Sequence, residues 1–183
     1  MKIKCLLLVV LLCIIIAPPI TNGYSVKCVR TLPTTASLIT MFQPGYDPEL
    51  AAVHAKYIDK NVNMWGVDRD TFVSMVNVES QFNPMAVSSK GAVGSSQVLA
   101  RVHKDKIRKR RITRNEVFYL DHNYSLGCEI IYDAKKRSHS LDETLRLYVG
   151  GNCPEYNRAV KKGIARCKAM QGSTFIVSTI VKG

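Results

Sequence analysis

An apolar stripe that runs into an acid restricts this chain more than any other feature. Phe72, Met75 and Val76 recur at helical spacing, and the next position on their face is Glu79. A carboxyl group therefore stands where a core residue is expected. Burial there disfavours its charged form, which makes Glu79 the candidate general acid near neutral pH. Asn83-Pro84 is expected to end the helix, because the residue before proline avoids the helical region. Ser88 to Gln97 (SSKGAVGSSQ) then reads as a small-residue loop in which Gly91 and Gly94 allow close backbone approach.

Helical signals continue on both sides. Asp47 offers an N-cap to Pro48, and Leu50, Val53 and Tyr57 trace the apolar face of a helix ending near Asn61. His54 beside that face reads as structural. Trp65-Gly66-Val67 breaks the pattern, Asp68 opens the central helix, and Trp65 reads as a core plug rather than a sugar platform. Thr113-x-x-Glu116 and Ser140-x-x-Glu143 resemble capping boxes. Leu126, Ile130 and Ala134 mark one helix over 121–137, and Leu141, Leu145 and Tyr148 another over 140–150, joined tightly enough to pack antiparallel. Pro154 to Lys168 forms the last, with Tyr156, Val160, Ile164 and Cys167 on one side. The expected fold class is mainly α, about six helices with little or no sheet. Its core domain spans 47–168, preceded by an extended leader over 24–46 and followed by a tail over 169–183 that is either an edge strand or disordered.

Met1-Lys2-Ile3-Lys4 followed by the apolar run Cys5 to Ile16 is too short for a membrane span and reads as a signal peptide, residues 1–23, cleaved after Gly23. Its removal takes Lys2 and Lys4 and no acid, so the formal charge of +12 becomes +10. A secreted or periplasmic chain this basic suits an anionic wall or membrane surface, and nucleic acid is a poor partner in that compartment. The most basic stretch, Lys104 to Arg114, reads as a solvated loop without aromatic residues for base stacking. A monomer is expected.

Cys28, Cys128, Cys153 and Cys167 remain after cleavage, an even number suited to disulfides. The last helix would hold Cys153 and Cys167 roughly 20 Å apart, beyond bonding reach. The helical hairpin favours Cys128 with Cys153, leaving Cys28 with Cys167. With no Cys-x-x-Cys pair and no cysteine and histidine cluster, neither a metal site nor a cofactor is expected.

The pattern Glu79-Ser80-x-Phe82-Asn83-Pro84-x-Ala86-x-Ser88-x-Lys90-Gly91-Ala92-x-Gly94-x-x-Gln97 resembles the signature of the soluble lytic transglycosylases, lysozyme-like enzymes that cleave bacterial peptidoglycan. The resemblance covers roughly residues 47–165. It implies that Glu79 is the single acid/base, that Ser80 orients substrate, that Gln97 donates a hydrogen bond to the sugar, and that Tyr148 lies near the acid. Asp121, Asn123 and Gly127 also match, with Asn123 either satisfying backbone groups beside the substrate groove or capping a helix. Asn123-Tyr124-Ser125 is a glycosylation sequon, discounted because the family is mostly bacterial and phage. Ser95-Ser96 replaces the usual Leu-Met, His122 departs from the pattern, and Val149 replaces an asparagine.

Ordinary glycoside hydrolysis needs two carboxylates. Glu79 is the only acid between Ser74 and Lys104, and Asp121, Asp142 or Glu143 would have to fold back to supply a second. N-acetylmuramic acid carries its own nucleophiles, so one carboxyl suffices. The expected activity is a secreted lytic transglycosylase that cleaves the MurNAc-GlcNAc β-1,4 bond and leaves 1,6-anhydromuramoyl ends, in local wall opening for a secretion or conjugation apparatus or for a phage. Two alternatives are a hydrolase of the same bond and a non-catalytic peptidoglycan-binding or assembly protein.

Overall fold

The structure is a computed structural model that describes the backbone of residues 24–30 and 176–182 and the whole of residues 32–172. The signal segment 1–23 and its cleavage point lie outside the described residues. Two units are distinct. In one, strand β1 (Tyr24–Arg30) pairs antiparallel with β2 (Ile176–Lys182), Tyr24 opposite Lys182 and Arg30 opposite Ile176. The β-branched run of β2 favours that conformation, so a two-stranded ladder adds to the expected helices.

The other unit is built from seven α-helices. They are α1 (Thr35–Phe42), α2 (Pro48–Trp65), α3 (Arg69–Ser80), α4 (Lys104–Lys109), α5 (Leu120–Lys136), α6 (Leu141–Val149) and α7 (Pro154–Gly172). The mainly α, lysozyme-like reading holds. Asp47 caps α2 by accepting from the Leu50 N–H at 2.7 Å, and Asp68 caps α3 by accepting from Thr71 at 2.8 Å. The helix α2 continues past Asn61 to Trp65, where Gly66 takes the left-handed conformation at φ 62° and stops it.

Helix α1 corrects the reading of 24–46 as an extended leader. Thr34 accepts from the Ser37 N–H at 3.1 Å, and Leu38, Ile39 and Phe42 are buried in the core. One turn of apolar residues among β-branched threonines carries too little periodicity to announce a helix. The solvated loop expected over 104–114 likewise contains α4, and α7 extends to Gly172, into the expected tail.

The helix α3 is central, buried from Asp70 through Val76. Beside it α7 runs antiparallel: Gln171 donates to Asp70 at 2.6 Å, Gly163 lies against Ser74, and Tyr156 reaches Glu79. A Cβ on Gly163 would lie 2.8 Å from the Ser74 Cβ, so the two helices meet at a point only glycine fits. Trp65 packs on the core edge, its ring 5.8 Å from that of Tyr132, as the plug reading expects.

The cysteine pairing is corrected. Cys128, Cys153 and Cys167 are free thiols, and the expected Cys128–Cys153 bridge is absent because Cys128 is buried on the core face of α5 while Cys153 is exposed ahead of α7. Cys167 packs its sulfur 3.9 Å from the Ser74 hydroxyl. The side chain of Cys28 lies outside the described residues.

Candidate active site

Phe72, Met75 and Val76 point into the core, and their stripe delivers Glu79 to the last turn of α3. The helix stops at Ser80, three residues before Asn83-Pro84. Gln81 and Phe82 both adopt left-handed conformations, φ 55° and 65°, which side chains other than glycine's rarely take. Packing holds the turn. Phe82 is fully buried, edge-on to Tyr46 and His54, and its carbonyl accepts from the Tyr46 hydroxyl at 3.2 Å. His54 is buried between the Tyr46 and Tyr124 hydroxyls, and burial pushes its imidazole down to about 4. It is structural, as its place beside the α2 face suggests.

The loop beyond carries its own small core of Val93 and Val98 with Val117, Leu126 and Ile130. Asn123, fully buried on α5, ties it down: its amide donates to the carbonyls of Val93 and Val117, each at 3.0 Å. Its oxygen accepts from the Ser96 N–H at 2.7 Å and the Ser96 hydroxyl at 2.8 Å. Gly94, at φ 75°, lies so close that an added Cβ would fall 2.2 Å from the Asn123 amide nitrogen. Ser96 in turn fits against Gly127, where a Cβ would meet its hydroxyl at 2.6 Å. A small hydroxylated residue at 96 thus belongs to the packing of α5.

Glu79, Gln97 and Tyr148 meet in a cleft of about 290 Å³, with Ser88, Lys90, Leu99, Val102, His103, Ile130 and Leu147 among its walls. Burial pushes the Glu79 carboxyl up to about 7. The Tyr156 hydroxyl, satisfied by no other group, is turned towards it and favours its ionised form. Tyr148 donates to the Ser96 carbonyl at 2.7 Å, and burial with the nearby Glu79 charge holds its phenol well above the usual range.

The remaining expected residues lie elsewhere or act differently. The Ser80 hydroxyl donates to the Ser95 carbonyl at 2.7 Å, fastening α3 to the loop outside the cleft lining. Asn123 is enclosed behind the loop, which fits the reading that it satisfies backbone groups. Both amide protons of Gln97 are committed, to Ala86 at 3.2 Å and Gly94 at 2.9 Å, so it offers the cleft a carbonyl acceptor in place of the expected donor. Sequence reasoning took Tyr156 as one more core residue of α7. The signal available was the one hydroxyl-bearing side chain on a stripe shared with Val160, Ile164 and Cys167.

No second carboxylate lines the cleft. Asp121 pairs with Lys60 at 2.7 Å, Asp142 with Lys161 at 2.9 Å, and Glu143 accepts from the His139 N–H at 2.9 Å. The cleft can therefore deliver one proton from one enclosed carboxyl and take one back.

A family model described as the transglycosylase SLT domain matches residues 56–165, which include every cleft residue named above. No curated protein matches the chain.

Proposed function

We propose a role for each cleft residue from one premise: the chain belongs to the transglycosylase SLT domain family, and is a lytic transglycosylase acting on the glycan strands of peptidoglycan. Glu79 is the acid/base. Protonated near neutrality, it gives its proton to the glycosidic oxygen as the C1–O4 bond breaks and N-acetylglucosamine leaves. The muramoyl 2-acetamido oxygen supports C1 during departure. The sugar's 6-hydroxyl then attacks C1 and returns its proton to Glu79, closing the 1,6-anhydro ring without consuming water.

The observation that carries this reading is that the cleft has a single carboxyl, shifted to about 7 by burial. A hydrolase working with two carboxylates would need a partner that the lining does not supply. Gln97 accepts from a sugar hydroxyl or amide. Tyr148 and Ser80 act by holding the loop, through Ser96 and Ser95, against the end of α3. The enzyme works outside the cytoplasmic membrane after loss of residues 1–23.

The test is mass spectrometry of muropeptides released from sacculi by residues 24–183, with Glu79→Gln as control. Anhydromuramoyl products from the wild type alone are expected. Reducing-end products would replace the reading by hydrolysis, and an active Glu79→Gln enzyme would remove Glu79 from its role. N-terminal sequencing of the exported protein tests cleavage after Gly23.

A further inference from the structure

The helix α4 divides its charges between two faces. Lys106 and Arg110, one turn apart, face α5, where Lys106 contacts Glu129 at 3.3 Å and also reaches Asp133, and Arg110 contacts Glu129 at 2.5 Å. Lys104 and Arg108, also one turn apart, open onto a cavity of about 590 Å³. Lys90, Arg101, Arg111 and Arg114 complete its charged lining, which contains no carboxylate. Among the described residues these six cations form no ion pair, while their neighbours in the same stretch do.

Two features show that this convergence is built. Arg111 is held at φ 54°, a strained setting for a side-chain-bearing residue, with its N–H on the Arg108 carbonyl at 3.0 Å. The Arg114 guanidinium closes within 4.0 Å of the point where a Gly91 Cβ would stand, which draws the far end of the basic stretch against the loop. Gathered like charges repel, and an anion relieves that repulsion as it binds. Guanidinium groups match carboxylates in particular, through two parallel hydrogen bonds.

Lys90 lines both this cavity and the Glu79 cleft, so the two adjoin. A peptidoglycan strand carries, on the lactyl group of each muramic acid, a short peptide with free carboxylates. We propose that the basic cavity is the subsite for those stem-peptide carboxylates, so that the enzyme selects peptide-bearing strands over bare glycan. This rests on the proposed function. A concave site continuous with the cleft suits a branch of the bound strand better than the flat face of an anionic bilayer.

The experiment compares kcat and KM on glycan strands bearing stem peptides and on the same strands stripped by an amidase. The enzymes are wild type, Arg108→Gln/Arg111→Gln, and a control of equal charge loss on α7, Lys162→Gln/Lys168→Gln. The wild type should favour peptide-bearing strands through KM. In the arginine variant this preference should fall roughly tenfold at unchanged kcat, and in the control it should persist. Equal use of both strands by the wild type, or equal loss by both double variants, would overturn the subsite. So would a variant that loses binding to phosphatidylglycerol vesicles with its strand preference intact. If no strand is cleaved the proposed function fails, and sedimentation with the two strand types still reads the preference directly.

Discussion

The side chain of Asn123 grips Ser96 twice, its oxygen accepting from the backbone N–H at 2.7 Å and from the hydroxyl at 2.8 Å. The Ser96 carbonyl accepts from Tyr148 at 2.7 Å, so a chain of polar contacts links α5, the loop and α6 behind the acid. Asn123→Ala should leave the Ser96 N–H and the Val117 carbonyl without partners and leave the Val93 carbonyl only its bond from the Val98 N–H. We expect a loss of at least about 3 kcal/mol in urea unfolding. Asn123→Asp should do no better, because it would set a carboxylate oxygen against those two carbonyls. An Asp variant of wild-type stability would show that the grip is unimportant.

Gly94 tests the same contact from the loop side. Gly94→Ala places a methyl group 2.2 Å from the Asn123 amide at a φ of 75°. The expected cost is about 2 to 4 kcal/mol, with strand cleavage falling alongside, measured by thermal unfolding and turnover. Gly45→Ala, also at positive φ but with open space around it, should cost less.

Stability should carry the signature of Glu79. Its carboxyl is raised to about 7 in the folded chain, against an ordinary 4.5 when unfolded, so the folded state binds the extra proton between these values. This contribution is fully present below pH 4.5 and is lost as pH rises through 7. Its size is at most about 3 kcal/mol. His54 acts in the opposite sense: lowered to about 4, it favours the folded state above 6.5 and loses that contribution as pH falls through 4. Denaturation across pH 4 to 8 should show stability rising with pH in Glu79→Gln, where only the His54 limb remains of these two. An unchanged profile would show that the carboxyl is not shifted.

Activity should fall as pH rises through about 7, because the proposed first step requires protonated Glu79. Tyr156→Phe removes the hydroxyl that favours the ionised carboxyl, so the alkaline limit of kcat/KM should move upward. A downward move would mean that the hydroxyl stabilises the neutral acid. Glu79→Gln should lower kcat by about a thousandfold or more while leaving the fold intact.

Much of this arrangement was legible because local rules operate there undisturbed. Asp47, Asp68 and Ser140 cap helices as their positions suggest, and Thr113 and Glu116 exchange hydrogen bonds as a capping box should. Glu79 stood out since one polar residue on an apolar stripe breaks a pattern. What stayed hidden depends on partners distant in sequence. Helix α1 forms because Leu38, Ile39 and Phe42 have a core to enter. The left-handed Gln81 and Phe82 exist because Tyr46 and His54 receive the Phe82 ring, and no local preference favours them. Tyr156 gains its meaning only when α7 lies antiparallel on α3. The expected Cys128–Cys153 bridge failed for a similar reason, since helix pairing sets proximity but not which way each thiol faces.

The contact of Gly163 on Ser74 also bears on time. Ribosome and any export channel deliver α3 well before α7, and until α7 arrives the Ser74 face and the Glu79 carboxyl remain wet. A hydrated glutamate titrates as an ordinary surface acid and cannot hold a proton at neutral pH. The site is thus latent while the chain emerges, and the lock is α7: the Glu79 carboxyl is enclosed only once that helix has closed onto α3.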